Sequence, residues 1–154
     1  MTRTIGVLLG GPAGDGAFID AAVAAVTDAR GRGIRVDLRE QAPDAFDPAW
    51  GAVLCHGVQL APWLRDLDHD RTAVPTVLTD TPADRTGLAG VTLVDWAWDQ
   101  AAYCAGALAV EMAGGRGVGL VAGPPVLTQR RVASAFTAGA AARAEQVGGG
   151  ELST

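Results

Sequence analysis

Lysine is absent from this sequence of 154 residues, so all 12 of its basic residues are arginines. They occur singly or in pairs, the densest group being Arg130 and Arg131, and the formal net charge at pH 7 is −5. Proteins that bind the phosphate backbone of nucleic acids present a cluster or stripe of basic residues. The lack of such a stripe predicts that the protein has no nucleic-acid partner.

Long hydrophobic runs are also lacking. The first apolar run, Ile5 to Leu9, is too short for the core of a signal peptide and is followed at once by glycines. No run approaches the roughly 18 apolar residues that cross a bilayer. We therefore expect a cytoplasmic protein without membrane insertion. The chain has only two cysteines, Cys55 and Cys104, which in that compartment are expected to be buried thiols and not a disulfide.

The sequence also lacks recognisable catalytic motifs. Loop residues 10–16 are rich in glycine, but neither a P-loop nor a G-x-G-x-x-G motif is present. Cys55 and His56 are adjacent in a predicted strand and should point to opposite faces, which argues against a thiol paired with a base. The Asp and His cluster at residues 66–70 falls where a surface helix ends, so solvated side chains are expected there. The prediction is a non-enzymatic protein with no cofactor and no metal.

The apolar residues, 49% of the chain, recur in a pattern typical of an α/β domain. Short aliphatic runs alternate with Ala-rich stretches at helical spacing. The predicted strands are residues 4–9, 34–38, 52–55, 74–78, 91–94 and 118–122, and the predicted helices are residues 17–30, 61–67, 96–113 and 127–146. This alternation predicts a doubly wound parallel sheet of about six strands in the flavodoxin-like order 2-1-3-4-5-6. We expect a single lobe over residues 1–147 and a flexible tail over residues 148–154.

The candidate ligand site lies in the loops that follow the strands, because ligands of such sheets bind beyond the carboxyl ends of the strands. The candidate ligand-binding residues are Gly11, Gly14, Asp15, Phe18, His56, Asp80, Trp96 and Trp98. Backbone N–H groups of a glycine loop at a helix N-terminus bind anions and hydroxyl-rich ligands. Structural roles stay open as alternatives: Asp15 as a helix cap, Phe18 as a core residue, and the two tryptophans as a cover for the sheet edge.

Four ordered motifs resemble the basic membrane protein family of substrate-binding proteins, also called PnrA-like. Gln100-Ala-Ala-Tyr-Cys-Ala-Gly-Ala-Leu-Ala109, Gly117-Val-Gly-Leu-Val-Ala-Gly123 and Phe136-Thr-Ala-Gly139 are similar to a helix, a strand and a second helix of that family. Residues 11–18 are similar to the tail of the family's ligand loop. The resemblance extends over roughly residues 4 to 145. We predict that Tyr103, Gly106 and Gly139 allow close packing of helices on the sheet, because small residues let backbones approach.

This resemblance implies a type I periplasmic-binding-protein-like fold, a two-lobed clamshell that binds purine nucleosides or related solutes and serves an ABC transporter. Some relatives act instead as intracellular regulators. Leu9 and Ile19 stand where the family has polar residues, so Asp15 is the one polar loop contact kept, with Phe18 as the ring that would stack on a base. The motifs cover one lobe. We therefore expect a homodimer in which a second copy forms the opposite wall.

Three functions are compatible with these observations. The first, which we favour, is a module that binds or senses a nucleoside-like or related solute. The second is a regulatory or partner-binding protein that keeps the lobe without the ligand. The third is a Rossmann-like nucleotide-dependent enzyme with Asp37 or Glu40 as its ribose-binding acid, although the glycine fingerprint is lacking. The predicted dimer face is apolar and comprises Phe18, Val58, Trp96, Trp98 and the pair Pro124-Pro125.

Overall fold

The computed structural model describes residues 3–67, 74–81, 88–123 and 125–148. Contacts divide the chain into two compact units, Met1–Asp95 and Trp96–Thr154, which we describe separately. The first unit holds the sheet, and the second holds two long helices. The division of the chain into a lobe over residues 1–147 and a tail stays a prediction, and residues 149–154 lie outside the described ranges.

The first unit is built on a five-stranded sheet whose neighbouring strands all pair in parallel. The strands are β1 (Thr4–Leu9), β2 (Val36–Arg39), β3 (Trp50–His56), β4 (Thr76–Thr79) and β5 (Val91–Val94), in the order β2-β1-β3-β4-β5. Helix α1 (Phe18–Gly31) follows β1, and a 3-10 turn (Val58–Leu60) followed by α2 (Ala61–Asp66) comes after β3. The predicted α/β class and the order of the first five strands are confirmed.

Strand β1 buries residues on both of its faces, as expected for a parallel strand between two helical layers. On one face, Val7 and Leu9 pack with Val26 of α1. On the other, Leu8 belongs to a core cluster with Leu64 of α2. Strand β2 pairs with β1 on one side, and β3 pairs with β1 on the other. The strand order therefore reverses between β1 and β3.

The prediction of a sixth strand over residues 118–122 is wrong. These residues form no strand with any part of the chain that the structure describes. Gly117, Gly119 and Gly123 lie in or beside the segment, and glycine has no side chain to pack and a large entropy cost of ordering. The side chain of Val121 is 99% exposed. The segment therefore gains little burial that would offset this cost.

The second unit consists of α3 (Trp98–Ala113) and α4 (Leu127–Gln146), which pack against each other. A Cβ atom on Gly106 would overlap the carbonyl oxygen of Phe136, and one on Gly139 would overlap that of Tyr103. The predicted role of Tyr103, Gly106 and Gly139 in packing helices on the sheet is therefore wrong, because the atoms beside these glycines belong to the other helix. Within the described ranges, no helix has the length and apolar character needed to cross a membrane.

Candidate functional site

Two neighbouring clefts open at the carboxyl ends of β1 and β3 and share Gly10, Gly11, Pro12 and Gln59. The first, which we call the glycine-loop cleft, has a volume of about 370 Å³ and is lined by residues 10–15, 18, 19 and 59. The second, the Glu40 cleft, has a volume of about 330 Å³ and is lined by residues 9–12, 40–42, 59 and 60. Each volume suits a small ligand. The clefts lie where the strand order reverses, which is the usual ligand position in such sheets.

Asp15 in the glycine loop caps helix α1. Its carboxylate accepts the backbone N–H groups of Ala17 at 2.9 Å, Ile19 at 3.0 Å and Asp20 at 3.1 Å. The first turn of a helix leaves such donors without intrahelical partners. The hydrogen bonds, that of Ile19 foremost, lower the pKa of Asp15 because they stabilise its charged form. Asp15 is therefore an ionised cap, as its structural interpretation predicts.

Asp20, in the first turn of α1, fixes the loop from the other side. One of its carboxylate oxygens accepts the N–H of Gly14 and the other that of Gly16, both at 2.7 Å. Gly14 and Gly16 have φ angles of 101° and 66°, which residues other than glycine rarely adopt. These backbone donors thus already have an acceptor, the carboxylate of Asp20 on α1. Gly14 lines the glycine-loop cleft, but its N–H group is engaged.

His56, the last residue of β3, connects three elements of the first unit. Its ring stacks on the ring of Phe18 with centroids 3.9 Å apart. Its Nε2 lies 3.0 Å from the carbonyl oxygen of Phe18, and its Nδ1 lies 3.0 Å from the hydroxyl of Thr79. A carbonyl oxygen can only accept, so Nε2 carries a proton, and Nδ1 of the neutral ring accepts from Thr79. Both ring nitrogens are engaged, which makes His56 a support for Phe18.

The structure brings half of the predicted ligand-binding residues to one cleft. Gly11, Gly14, Asp15 and Phe18 line the glycine-loop cleft. His56 contacts Phe18 from β3. Asp80 has a φ angle of 60°, a left-handed conformation that Asp tolerates, and it lines neither cleft. Trp96 and Trp98 belong to the second unit, where their side chains are 43% and 42% exposed.

Three polar residues of the clefts, Glu40, Gln41 and Gln59, were not among the predicted ligand contacts. Glu40 was predicted only as the ribose-binding acid of the alternative enzyme, and the two glutamines were not among the candidate ligand-binding residues. Gln59 lines both clefts, and a Cβ atom on Gly57 would lie 2.6 Å from its Oε1. The side chain of Gln59 therefore lies close against the backbone at Gly57. Position in the chain could have identified these residues, because Glu40 and Gln41 follow β2 and Gln59 closely follows β3, and these strands are the two neighbours of β1.

The cysteines offer no nucleophile at this site. Burial raises the pKa of Cys55 to about 12, because desolvation disfavours the thiolate, so the thiol stays protonated at neutral pH. Both cysteines are free thiols, but Cys104 is exposed. The prediction that both thiols are buried is therefore wrong for Cys104, because it lies on the side of α3 opposite Gly106, the residue that meets α4.

A metal site is not found in the described ranges, where no group of three His, Cys, Asp or Glu side chains could hold an ion. The cluster considered at residues 66–70 is only partly covered. Asp68, His69 and Asp70 lie outside the described residues. Asp66, the last residue of α2, is exposed, as expected for a solvated side chain at the end of a surface helix.

Two solved structures share this fold. One is an ABC transporter system solute-binding protein from Aeropyrum pernix K1, with a TM-score of 0.78 and 17% identity over 97% of this chain and 46% of that chain. The other is an ABC transporter system solute-binding protein from Conexibacter woesei DSM 14684, with a TM-score of 0.60 and 22% identity over 92% of this chain and 51% of that chain. The chain therefore spans about half the length of each. No protein-family model and no curated protein matches the sequence.

The comparison confirms the class of fold: a doubly wound α/β lobe of the kind found in solute-binding proteins. The more specific resemblance to the basic membrane protein family stays a prediction. Identities of 17% and 22% establish a shared fold, and function has to be argued from the site itself.

Proposed function

We propose that this chain is a non-enzymatic module that binds a small polar solute in the two clefts. The observation that carries the proposal is the position of both clefts at the carboxyl ends of β1 and β3, where the strand order reverses. The clefts also hold polar groups that could fix a ligand: the amide of Gln59, the carboxylate of Glu40, and the N–H of Gly11, which has no partner among the described residues. A few convergent polar groups in a cleft are typical of small-molecule sites.

The solute class that we propose is nucleoside-like, as in the basic membrane protein family. Phe18 lines the glycine-loop cleft, and its stacking on His56 holds the ring in place. A fixed aromatic ring is a surface on which a planar base can stack. Because Asp15 is engaged as a helix cap, hydroxyl recognition falls to Gln59 and Glu40.

A thermal-shift screen of nucleosides, free bases and sugars tests this function. A ligand at 100 times its Kd adds about 2.7 kcal/mol to the free energy of unfolding. Gly11→Leu should remove the shift, because Gly11 lines both clefts. Gly31→Leu is the matched control, since no neighbouring atom lies within 4 Å of its Cβ position. Absence of a shift with every solute, or a shift that survives Gly11→Leu, would contradict the proposal.

Self-association is a second proposal, favoured by apolar side chains that the chain leaves exposed. Trp96 and Trp98 of the predicted dimer face are 43% and 42% exposed, and exposed apolar patches mark interfaces. We propose a two-fold homodimer whose interface includes these two tryptophans; Pro124 of the predicted face lies outside the described residues. Light scattering over a dilution series should show twice the monomer mass. A monomer at high micromolar concentration would exclude the dimer and the opposite wall that a second copy was expected to form, and the proposal would then rest on the two clefts of the first unit alone.

A further inference from the structure

The side chains around the two clefts carry charge of one sign. Asp15 lines the glycine-loop cleft and Glu40 lines the other, while Asp20 is bonded to the same loop. Among the described lining residues there is no arginine or histidine. The charged side chains that line the clefts are therefore all acidic, which disfavours an anionic ligand and favours a cation.

The loop backbone does not offset this charge. A glycine loop before a helix can bind an anion when its N–H groups point freely at the ligand. Here the N–H groups of Gly14, Gly16, Ala17 and Ile19 all donate to the carboxylates of Asp15 and Asp20. These side chains occupy the position that a phosphate would need. The positive end of α1 is thus neutralised by the protein itself.

Glu40 differs from these capping carboxylates because nothing in the described residues neutralises it. The neighbouring Arg39 is engaged elsewhere, with its guanidinium 2.8 Å from Asp37 and 3.0 Å from Asp47. Glu40 is exposed and makes no hydrogen bond or ion pair within the described ranges. Its carboxylate can therefore accept hydrogen bonds from a hydroxyl or an ammonium group of a solute in the cleft.

We propose that Glu40 is the specificity-determining residue of this site, and that the site takes uncharged or cationic solutes with hydroxyl or ammonium donors and rejects anionic ones. The inference rests on the proposed function of the clefts and adds the charge class of the ligand. It predicts that a phosphorylated solute binds at least about tenfold more weakly than its uncharged parent. This difference in affinity between the phosphorylated solute and its uncharged parent should become smaller with rising ionic strength, because both clefts are open to solvent.

The test uses two matched series of solutes that differ in charge. One is adenosine, 5′-amino-5′-deoxyadenosine and adenosine 5′-monophosphate; the other is glucose, glucosamine and glucose 6-phosphate. Kd values are measured by calorimetry for the full chain and for Glu40→Gln. Glutamine keeps a carbonyl oxygen as an acceptor and removes the charge, so the uncharged solute should keep its Kd within about threefold. The preference for the amine and the penalty on the phosphate should both shrink.

Glu145→Gln is the control, because Glu145 is an exposed carboxylate in the second unit that makes no bond within the described residues. Its affinities should equal those of the unaltered chain. If solutes bind but the phosphate binds as well as its parent, or Glu40→Gln leaves the order of affinities unchanged, the charge inference is wrong while the proposed function stands. If no member of either series binds and the wider thermal-shift screen is also negative, both the proposed function and the charge inference are wrong.

Discussion

Single side chains decide the geometry of this site by bonding to backbone groups and to each other. His56 shows this best, because its Nε2 and its ring face both contact Phe18 while its Nδ1 contacts Thr79. Each partner lies on another element, namely α1 or β4. The position of Phe18 in the glycine-loop cleft therefore depends on a residue that does not line that cleft.

Thr79→Val tests the hydrogen bond that orients His56. Thr79 is only 7% exposed, so the loss of its hydroxyl would leave Nδ1 of the neutral imidazole without a donor. An unpaired, partly buried acceptor costs about 1–3 kcal/mol, and chemical denaturation should show a loss of that size. Thr92→Val on β5 is the control, since Thr92 is exposed and its hydroxyl makes no bond among the described residues. Equal effects of the two substitutions would contradict the role of Thr79.

Asp15→Ala tests the helix cap through its pH dependence. The folded pKa of Asp15 is depressed below the value of 3.8 that we take for the unfolded chain. Its contribution to stability is therefore present above that value and is lost as the pH falls through the folded pKa. Asp15→Ala should lower the Tm at neutral pH. The difference in Tm between the variant and the unaltered chain should become smaller in acid. Asp44→Ala, which removes an exposed carboxylate, is the control and should leave the Tm unchanged. If the difference in Tm caused by Asp15→Ala did not change with pH, the capping role of Asp15 would be refuted.

Residue roles were predictable from the sequence only where local chain geometry decides them. Asp15 as a cap follows from its position just before a helix. The support of Phe18 by His56 could not be predicted, because these residues are 38 positions apart and meet only when β3 lies beside β1. Glu40 could be predicted only from its position after β2, because a carboxylate at the end of a strand is ordinarily a solvated side chain.

At the scale of elements, the strands were predictable where their side chains are buried. Strands β1 and β3 supply buried residues to the core, and their apolar runs identified them. The segment at residues 118–122 has a similar run of aliphatic residues but forms no strand within the described part of the chain. Its glycines lower the tendency to form a strand, and hydrophobic pattern alone does not reveal whether a neighbouring strand exists.

Gly106→Ala tests the packing of α3 on α4. Even one methyl group at this position would overlap the carbonyl oxygen of Phe136, so the two helices would have to move apart. We expect a loss of about 1–3 kcal/mol in urea unfolding, although Ala is intrinsically the better helix former. Gly117→Ala is the control, because no neighbouring atom lies within 4 Å of its Cβ position. Unchanged or increased stability of Gly106→Ala would contradict the close packing.

At the scale of the whole molecule, the chain covers 46% and 51% of two solute-binding proteins with the same fold. The fold class was predictable because an alternation of apolar strands and helices admits few topologies. The ligand was not, because specificity depends on a small number of polar groups whose relative positions are set by the tertiary structure.

Amide hydrogen exchange with and without the solute that gives the largest thermal shift would locate the binding site on the chain. We expect binding to slow exchange at residues 10–19 and 57–60, which include the shared wall of the two clefts. The region around Gly106 and Gly139 should be less affected, because these residues lie in the second unit. Slowed exchange confined to the second unit, or no change at residues 10–19 under saturating solute, would contradict a binding site at the carboxyl ends of β1 and β3.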